Sequence, residues 1–302
     1  MSRRTATLTA MTPSTDELRS ILAPELAAAS VPGSQPPVID PLTLERTITI
    51  GGGPVHLVDE LGARALIADA TRVAYDRPLA VCSVNLDHVH HFAGAADDFG
   101  ADAPVRWLNL IDGAPIATQA RRLTGVAYPR LAGSDVIIGI LDDLSASGGS
   151  VAVVGGQPAV TEALRERLAA DWPGVRFAGH FTPTREELSS PEDNLVLCAK
   201  LRAARADVIL VCLGKPRQER WIAQYGPQTR ASALLAFGAV VDFLAGRISR
   251  APQWVTTAHA EWMWRLMLEP RRLARRYLIE GPAAYRAVRA SASDPEERGS
   301  TT

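Results

Sequence analysis

The sequence predicts an α/β fold, with a mostly parallel sheet covered by helices on both faces and a helical C-terminal appendage. Three observations predict it. Short apolar runs recur along the chain without the alternation of a half-solvated strand, as strands buried on both faces require. Between them lie helical patterns of roughly 10 to 15 residues. Glycines and small polar residues stand where the runs end, the usual chemistry of turns and helix caps.

Taken in order, residues 1–44 contain six prolines and many Ser, Thr and Ala with little periodicity. They are expected to be a disordered tail, with one short helical pattern in "TDELRSILAPELAAA". Residues 45–245 are expected to form the α/β domain. "RPLAVCSVN" reads as a buried strand and "LDHVHHFAGAA" as the helix after it. "PVRWLNLID" is a second strand, followed by the helical "APIATQARRLTG". "SVAVVGG" is a third, leading into "QPAVTEALRERLAADWPG", where Pro158 suits a first helical turn and Gly174 ends the unit. "VRFAGHF" is a fourth. In "SSPEDNLVLCAKLRAARA" Ser190 can cap, Pro191 opens the helix, and Glu192 and Asp193 favour its positive end. "DVILVCLG" and "ASALLAFG" complete the strands. Ligands in such sheets bind beyond the strands' carboxyl ends, where Asn85, Asp112, Gly155 with Gly156, and the Gly238 to Asp242 turn all fall.

Among the 302 residues, 47% are apolar and 22% charged, which fits a soluble globular chain with a substantial core. The net charge of −1 hides an uneven distribution. Residues 246–290 hold nine arginines against three glutamates, with no Asp or Lys. That basic, helical appendage suggests an anionic neighbour, either a phosphate or a membrane surface, and no nucleic acid is expected. Residues 291–302 read as a second disordered tail. Cys82, Cys198 and Cys212 sit in apolar stretches without pairing or metal spacing, as buried reduced thiols do. No signal peptide is expected, because Arg3 and Arg4 are not followed by an apolar segment. The best candidate span, "ASALLAFGAVVDFLAG", is too short and contains Asp242.

Familiar nucleotide motifs fail. The Walker pattern lacks its first glycine before Gly214, and Pro216 follows Lys215. No G-x-G-x-x-G follows a strand. There is no D-x-D; Asp97-Asp98 and Asp142-Asp143 are adjacent pairs expected to be solvated. "VVGGQP" runs a strand through Gly155 and Gly156 into a helix start. It fits a diphosphate cradle and a purely structural tight turn alike. In "DHVHH", His88, His90 and His91 do not share one helical face, and no metal is expected there.

"GKPRQERWI", "FGAVVDFLAGRISRAPQW", "EWMWRL" with "EPRRLARRYL", "LIDGAPI" and "PRLAGSDVI" together resemble the WecG/TagA/CpsF glycosyltransferases, over residues 45–288 or so. The resemblance implies inverting transfer of an N-acetylmannosamine-type or related sugar from a UDP-sugar. It implies a polyprenyl-diphosphate-linked sugar as acceptor, at the inner face of a bacterial plasma membrane, where the protein would lie peripherally. It implies no cofactor. By this resemblance Asp112 is the catalytic base, and Asn85 beside it binds sugar or acceptor. Ser83 stands where the family has Thr. Arg130 lies near the donor diphosphate, and Gln218 and Asp242 hold nucleotide or sugar. Gln218 is expected to face the nucleotide pocket and His88 to line it. Arg217 and Glu219 fit either bracing the loop or touching ligand, while Lys215, at a position usually small in the family, is expected to point to water.

Arg265, Arg272 and Arg275 in the appendage are implied to reach the active site and steady the leaving diphosphate, in place of a metal. Trp262 and Trp264 among them suit the headgroup region of an anionic membrane. Self-association through the α/β domain is open. So is a different class of function, a non-catalytic UDP-sugar-binding scaffold of a polysaccharide assembly complex. A dinucleotide-dependent oxidoreductase is disfavoured by the missing glycine fingerprint.

Overall fold

The computed structural model describes residues 40–247 and 279–292. Six strands form one parallel sheet: β3 (Leu79–Val84), β4 (Arg106–Ile111), β5 (Ser150–Gly155), β6 (Arg176–Phe181), β7 (Val208–Cys212) and β8 (Ala233–Ala236). Their order is β4-β3-β8-β7-β5-β6. An antiparallel hairpin of β1 (Thr47–Ile50) and β2 (Gly53–His56) precedes them.

The apolar runs lack alternation because two separate cores take alternate residues. Val81, Leu108, Val153, Leu210 and Leu235 face one core, lined by α1 (Glu60–Arg72), α4 (Gly133–Ser147), α5 (Thr161–Asp171) and α9 (Val240–Leu244). Cys82, Trp107, Val154, Ile209 and Leu234 face the other. That second face is covered by α2 (Leu86–Phe92), α3 (Ala114–Thr124), α7 (Pro191–Ala204), α8 (Arg217–Thr229) and α10 (Gly281–Ala290). Each fully buried Leu, Ile or Val contributes roughly 1.5–3 kcal/mol by leaving water. A short helix, α6 (Arg185–Ser189), lies between β6 and α7.

The cap chemistry follows the sequence. The Ser190 side chain accepts from Asp193 N at 3.2 Å with Pro191 opening α7. Pro158 opens a 3-10 turn, Pro158–Val160, just ahead of α5. The β4 edge is protected by His56, whose Nδ1 accepts from Asn109 N at 3.0 Å. Burial pushes His56 down to about 4, so it stays neutral there.

Three expectations are corrected. Residues 40–44 belong to the fold rather than to a tail. Asp40 caps the 3-10 turn Pro41–Leu44 and pairs with the buried Arg106 at 2.6 Å. Asp142 and Asp143 are not merely solvated: Asp142 accepts from Trp172 Nε1 at 2.7 Å, and Asp143 takes both arms of Arg64 at 2.6 and 2.8 Å. Long aspartate-to-partner separations in sequence hid both contacts. Ser291, placed in the second tail, is anchored. Its hydroxyl accepts from Gly51 N and its carbonyl from Gln119 Nε2, each at 2.8 Å.

Those bonds tie the end of α10 to the β1–β2 turn and to α3, and α10 packs on α2 and α3, burying Ala284 and Val288. The far end of the basic appendage therefore returns to the α/β domain. No helix among the described residues is long and apolar enough to cross a membrane. The candidate residues Arg265, Arg272 and Arg275, with Trp262 and Trp264, lie outside the described residues.

Candidate active site

The carboxyl ends of β3 and β4 bring Asn85 and Asp112 together. Asp112 follows the last residue of β4, and its N donates to Val84 O at 3.0 Å, which continues the strand pairing by one residue. Gly113, at φ +83°, then turns the chain into α3 in a conformation that disfavours a side chain. Asn85 is the N-cap of α2: its Oδ1 accepts from His88 N at 3.2 Å. The same amide turns its Nδ2 outward and donates to Asp112 Oδ2 at 2.9 Å. One oxygen of a half-buried carboxylate is thus held in place, leaving the other able to accept a proton.

Arg130 is brought to the same edge. Leu131 N donates to Ile111 O at 2.6 Å, pinning residue 131 beside the end of β4. Arg130 is half-buried and already engaged in the protein.

Further along the sheet, Gly155 and Gly156 have φ of +96° and +81°. A side chain at Gly155 would meet Cys212 O at 2.4 Å, and one at Gly156 would meet Val241 at 2.9 Å. Close approach of β7 and α9 accounts for both glycines. His180, at the end of β6, bonds Gly155 O through Nε2 at 2.7 Å and Thr161 Oγ1 through Nδ1 at 2.8 Å. Sequence reading missed His180, because a single histidine in a strand carries no motif. Asp242 is half-buried on α9, next to Cys212.

Gln218 behaves differently from expectation. It is 1% exposed, and both ends of its amide are consumed inside the protein. Oε1 accepts from Gly214 N at 3.1 Å, while Nε2 donates to Ala236 O at 2.7 Å and Glu219 Oε1 at 3.0 Å. It shapes the β7–α8 turn instead of facing a pocket. Lys215 does not point to water. Its ammonium is buried against Glu219 Oε1 and the carbonyl of Ser83, each at 2.8 Å. Glu219 is accordingly a brace. Lys215 precedes α8 on the turn, so no helical spacing in the sequence paired it with Glu219.

Ser83 is buried at the end of β3, and the contact it makes here is through its backbone carbonyl. His88 lies under the site and does not line it. Its ring packs at 4.8 Å from both Phe92 and Phe99, and its Nδ1 has no partner among the described residues. Burial, then Lys215 and His91, hold it well below the ordinary histidine range, so it is neutral. His90 and His91 face Glu280 and Asp87 at 3.9 and 3.6 Å, with their own ring centroids 4.9 Å apart.

A depression of about 710 Å³ lies at the opposite, amino-terminal edge of β7 and β8, among Arg202, Arg205, Arg230 and Asp207. Arg202 is occupied there in closing α8, donating to Gln228 O at 2.8 and 3.1 Å. The chemistry-bearing residues gather at the other end of the sheet.

A parallel α/β sheet with a carboxylate at its carboxyl edge defines an open α/β protein with a ligand site at that edge. The model of the glycosyl transferase WecG/TagA/CpsF family matches residues 48–297, and the chain belongs to that family. A protein of Bacillus subtilis (strain 168) is 25% identical over 166 residues, 55% of this chain and 62% of the relative. Its name is N-acetylglucosaminyldiphosphoundecaprenol N-acetyl-beta-D-mannosaminyltransferase. A protein of the same name from Bacillus spizizenii (strain ATCC 23059 / NRRL B-14472 / W23) is 28% identical over the same shares. The match spans less than two thirds of the length of these relatives.

Proposed function

We propose that this glycosyltransferase moves an N-acetylmannosamine-type sugar from a UDP-sugar to a polyprenyl-diphosphate-linked sugar, with inversion and without a metal. The observation that carries the reading is the Asn85–Asp112 contact of 2.9 Å at the end of β3 and β4. Asn85 holds one carboxylate oxygen and leaves the other for the acceptor. In the transfer, the acceptor hydroxyl oxygen attacks the anomeric carbon as Asp112 removes its proton. The bond from that carbon to the UDP oxygen breaks on the opposite face, and UDP leaves with the electron pair. A single base acting in line gives inversion.

Family membership and the printed names of the two relatives support the substrate class. The nucleotide sugar would lie toward Gly155, Gly156 and Asp242, Asp242 accepting from a ribose or sugar hydroxyl, with Arg130 near the donor diphosphate. Charge developing on UDP needs neutralising, and preorganised cations can supply that. The arginines of residues 246–290, Arg265, Arg272 and Arg275 among them, are the proposed source, in place of the absent D-x-D motif. The same basic segment would hold the protein peripherally on an anionic membrane, at the inner face where a nucleotide sugar is available. Association of the α/β domain with further copies of itself is compatible with this reading.

A donor panel tests it. UDP-sugars are incubated with a short-chain polyprenyl-diphosphate-GlcNAc acceptor in EDTA, and UDP release is measured. Release that needs the acceptor and tolerates EDTA supports the transfer and names the donor. UDP binding with no turnover on any donor favours the scaffold.

A further inference from the structure

The amino-terminal edge of the sheet, opposite the end that carries Asp112, gathers charge of its own. The depression of about 710 Å³ there is lined by Arg202, Arg205 and Arg230, and among the described lining residues Asp207 is the one carboxylate. Three guanidinium charges against one carboxylate leave the lining at +2. Asp207 is turned to the start of β5, its Oδ2 accepting from Ser150 N at 2.8 Å and from Ser150 Oγ at 2.6 Å. The volume falls within the range of small-molecule clefts, roughly 300–1,000 Å³.

The ordinary reason for arginines at this edge is that α7 and α8 end here, and cations satisfy the last carbonyls of a helix. Other residues fill that role. Arg176 donates from Nη1 to Ala204 O at 3.1 Å and from Nη2 to Arg205 O, closing α7. Arg202 donates from Nε and Nη2 to Gln228 O at 3.1 and 2.8 Å, closing α8. Arg205 and Arg230 stand one residue past those helices, as their C-caps, with φ of +50° and +59°. A left-handed cap favours glycine, and a side chain there is strained. Both positions carry a long cation instead, exposed and lining the same depression. Helix capping accounts for Arg176 and Arg202 and leaves these two over.

We propose that this depression is a second ligand site, in which Arg205 and Arg230 hold the phosphate groups of a soluble phosphorylated small molecule. A guanidinium fork takes phosphate oxygens two at a time. Two forks at the ends of the packed helices α7 and α8 suit a ligand with more than one phosphate. The concave lining favours a small molecule over the flat surface of a bilayer. The site is separate from the transfer and stands whether or not Asp112 is the base.

Inorganic diphosphate is the probe, titrated into the full chain by calorimetry with UDP at saturation, so that a nucleotide pocket is already filled. One further binding event is expected, weakening with added salt. By NMR the Ser232 amide is expected to shift while that of Gly156 stays in place. Arg205→Gly with Arg230→Gly is expected to lower the affinity about a hundredfold, or about tenfold for each cation. The same pair is expected to melt at or above the wild-type temperature, because glycine accepts the left-handed conformation. Arg205→Gln with Arg230→Gln removes the charges and keeps side chains, and is expected to lose affinity equally; this arm decides where the glycine pair does not fold. No diphosphate binding by the wild type, shifts at Gly156 alone, or wild-type affinity in the variants overturns the proposal. So does co-sedimentation with phosphatidylglycerol vesicles that falls in the variants while diphosphate binding is unchanged, which would give the arginines to a lipid surface.

Discussion

Asn85 donates from Nδ2 to Asp112 Oδ2 at 2.9 Å while its own Oδ1 caps α2. One side chain thus starts a helix and aims a carboxylate. Asn85→Ala removes both bonds. Loss of the cap is expected to cost about 1 kcal/mol of stability. Loss of orientation at the base is expected to lower kcat by about a hundredfold or more. A melting curve and steady-state kinetics separate the two. A variant with the stability loss but unchanged kcat removes Asn85 from the chemistry.

His56 supplies an acid-sensitive element away from the site. Its folded value is about 4 and its ordinary value 6.5, a depression caused by burial. Between those pH values the unfolded chain binds a proton that the folded chain refuses, so stability falls as pH falls from about 6.5 to about 4. The full loss is about 3 kcal/mol, taken from the shift. Denaturant titrations at pH 7 and pH 4.5 measure it. A His56→Gln variant that keeps the same slope would assign the acid lability elsewhere.

Gly155→Ala is expected to be destabilising twice over. Its φ of +96° disfavours a side chain, and the new Cβ would meet the backbone carbonyl of Cys212 at 2.4 Å. A cost of about 1–3 kcal/mol, or several degrees of melting temperature, is expected. Wild-type thermal stability would mean the turn is looser than the packing of β7 against it implies.

Truncation after Leu244 removes the basic segment and α10, which buries Ala284 and Val288 against α2 and α3. Co-sedimentation with anionic vesicles and acceptor-dependent UDP release are both expected to be lost. Full activity in the truncated protein would take the appendage out of the mechanism.

The parallel sheet was legible because β3, β4, β5, β7 and β8 are buried on both faces, and such strands show as unbroken apolar runs. The hairpin Thr47–Ile50 with Gly53–His56 and the helices α1, α4 and α8 were not read as elements. In α1 the buried positions include Ala63 and Ala70, small residues that weaken the helical signal. At the site, the strand pattern placed Asp112 and Asn85 at the carboxyl ends of β4 and β3, and the family resemblance gave them their proposed roles. Gln218, His88 and Lys215 were misplaced because motif position does not reveal which way a side chain turns. The cross-sheet bond from Lys215 to Ser83 joins residues 132 apart in the chain, a separation that no local pattern records.

The most direct test of the central claim compares wild type with Asp112→Asn in one assay. Acceptor-dependent UDP release and UDP affinity are measured on the same preparations. The account predicts that release vanishes in Asp112→Asn while UDP binds within a few fold of wild type, as expected of a residue that acts only on the acceptor's proton. Residual release near the wild-type rate would contradict it, and loss of UDP binding would reassign Asp112 to the donor pocket.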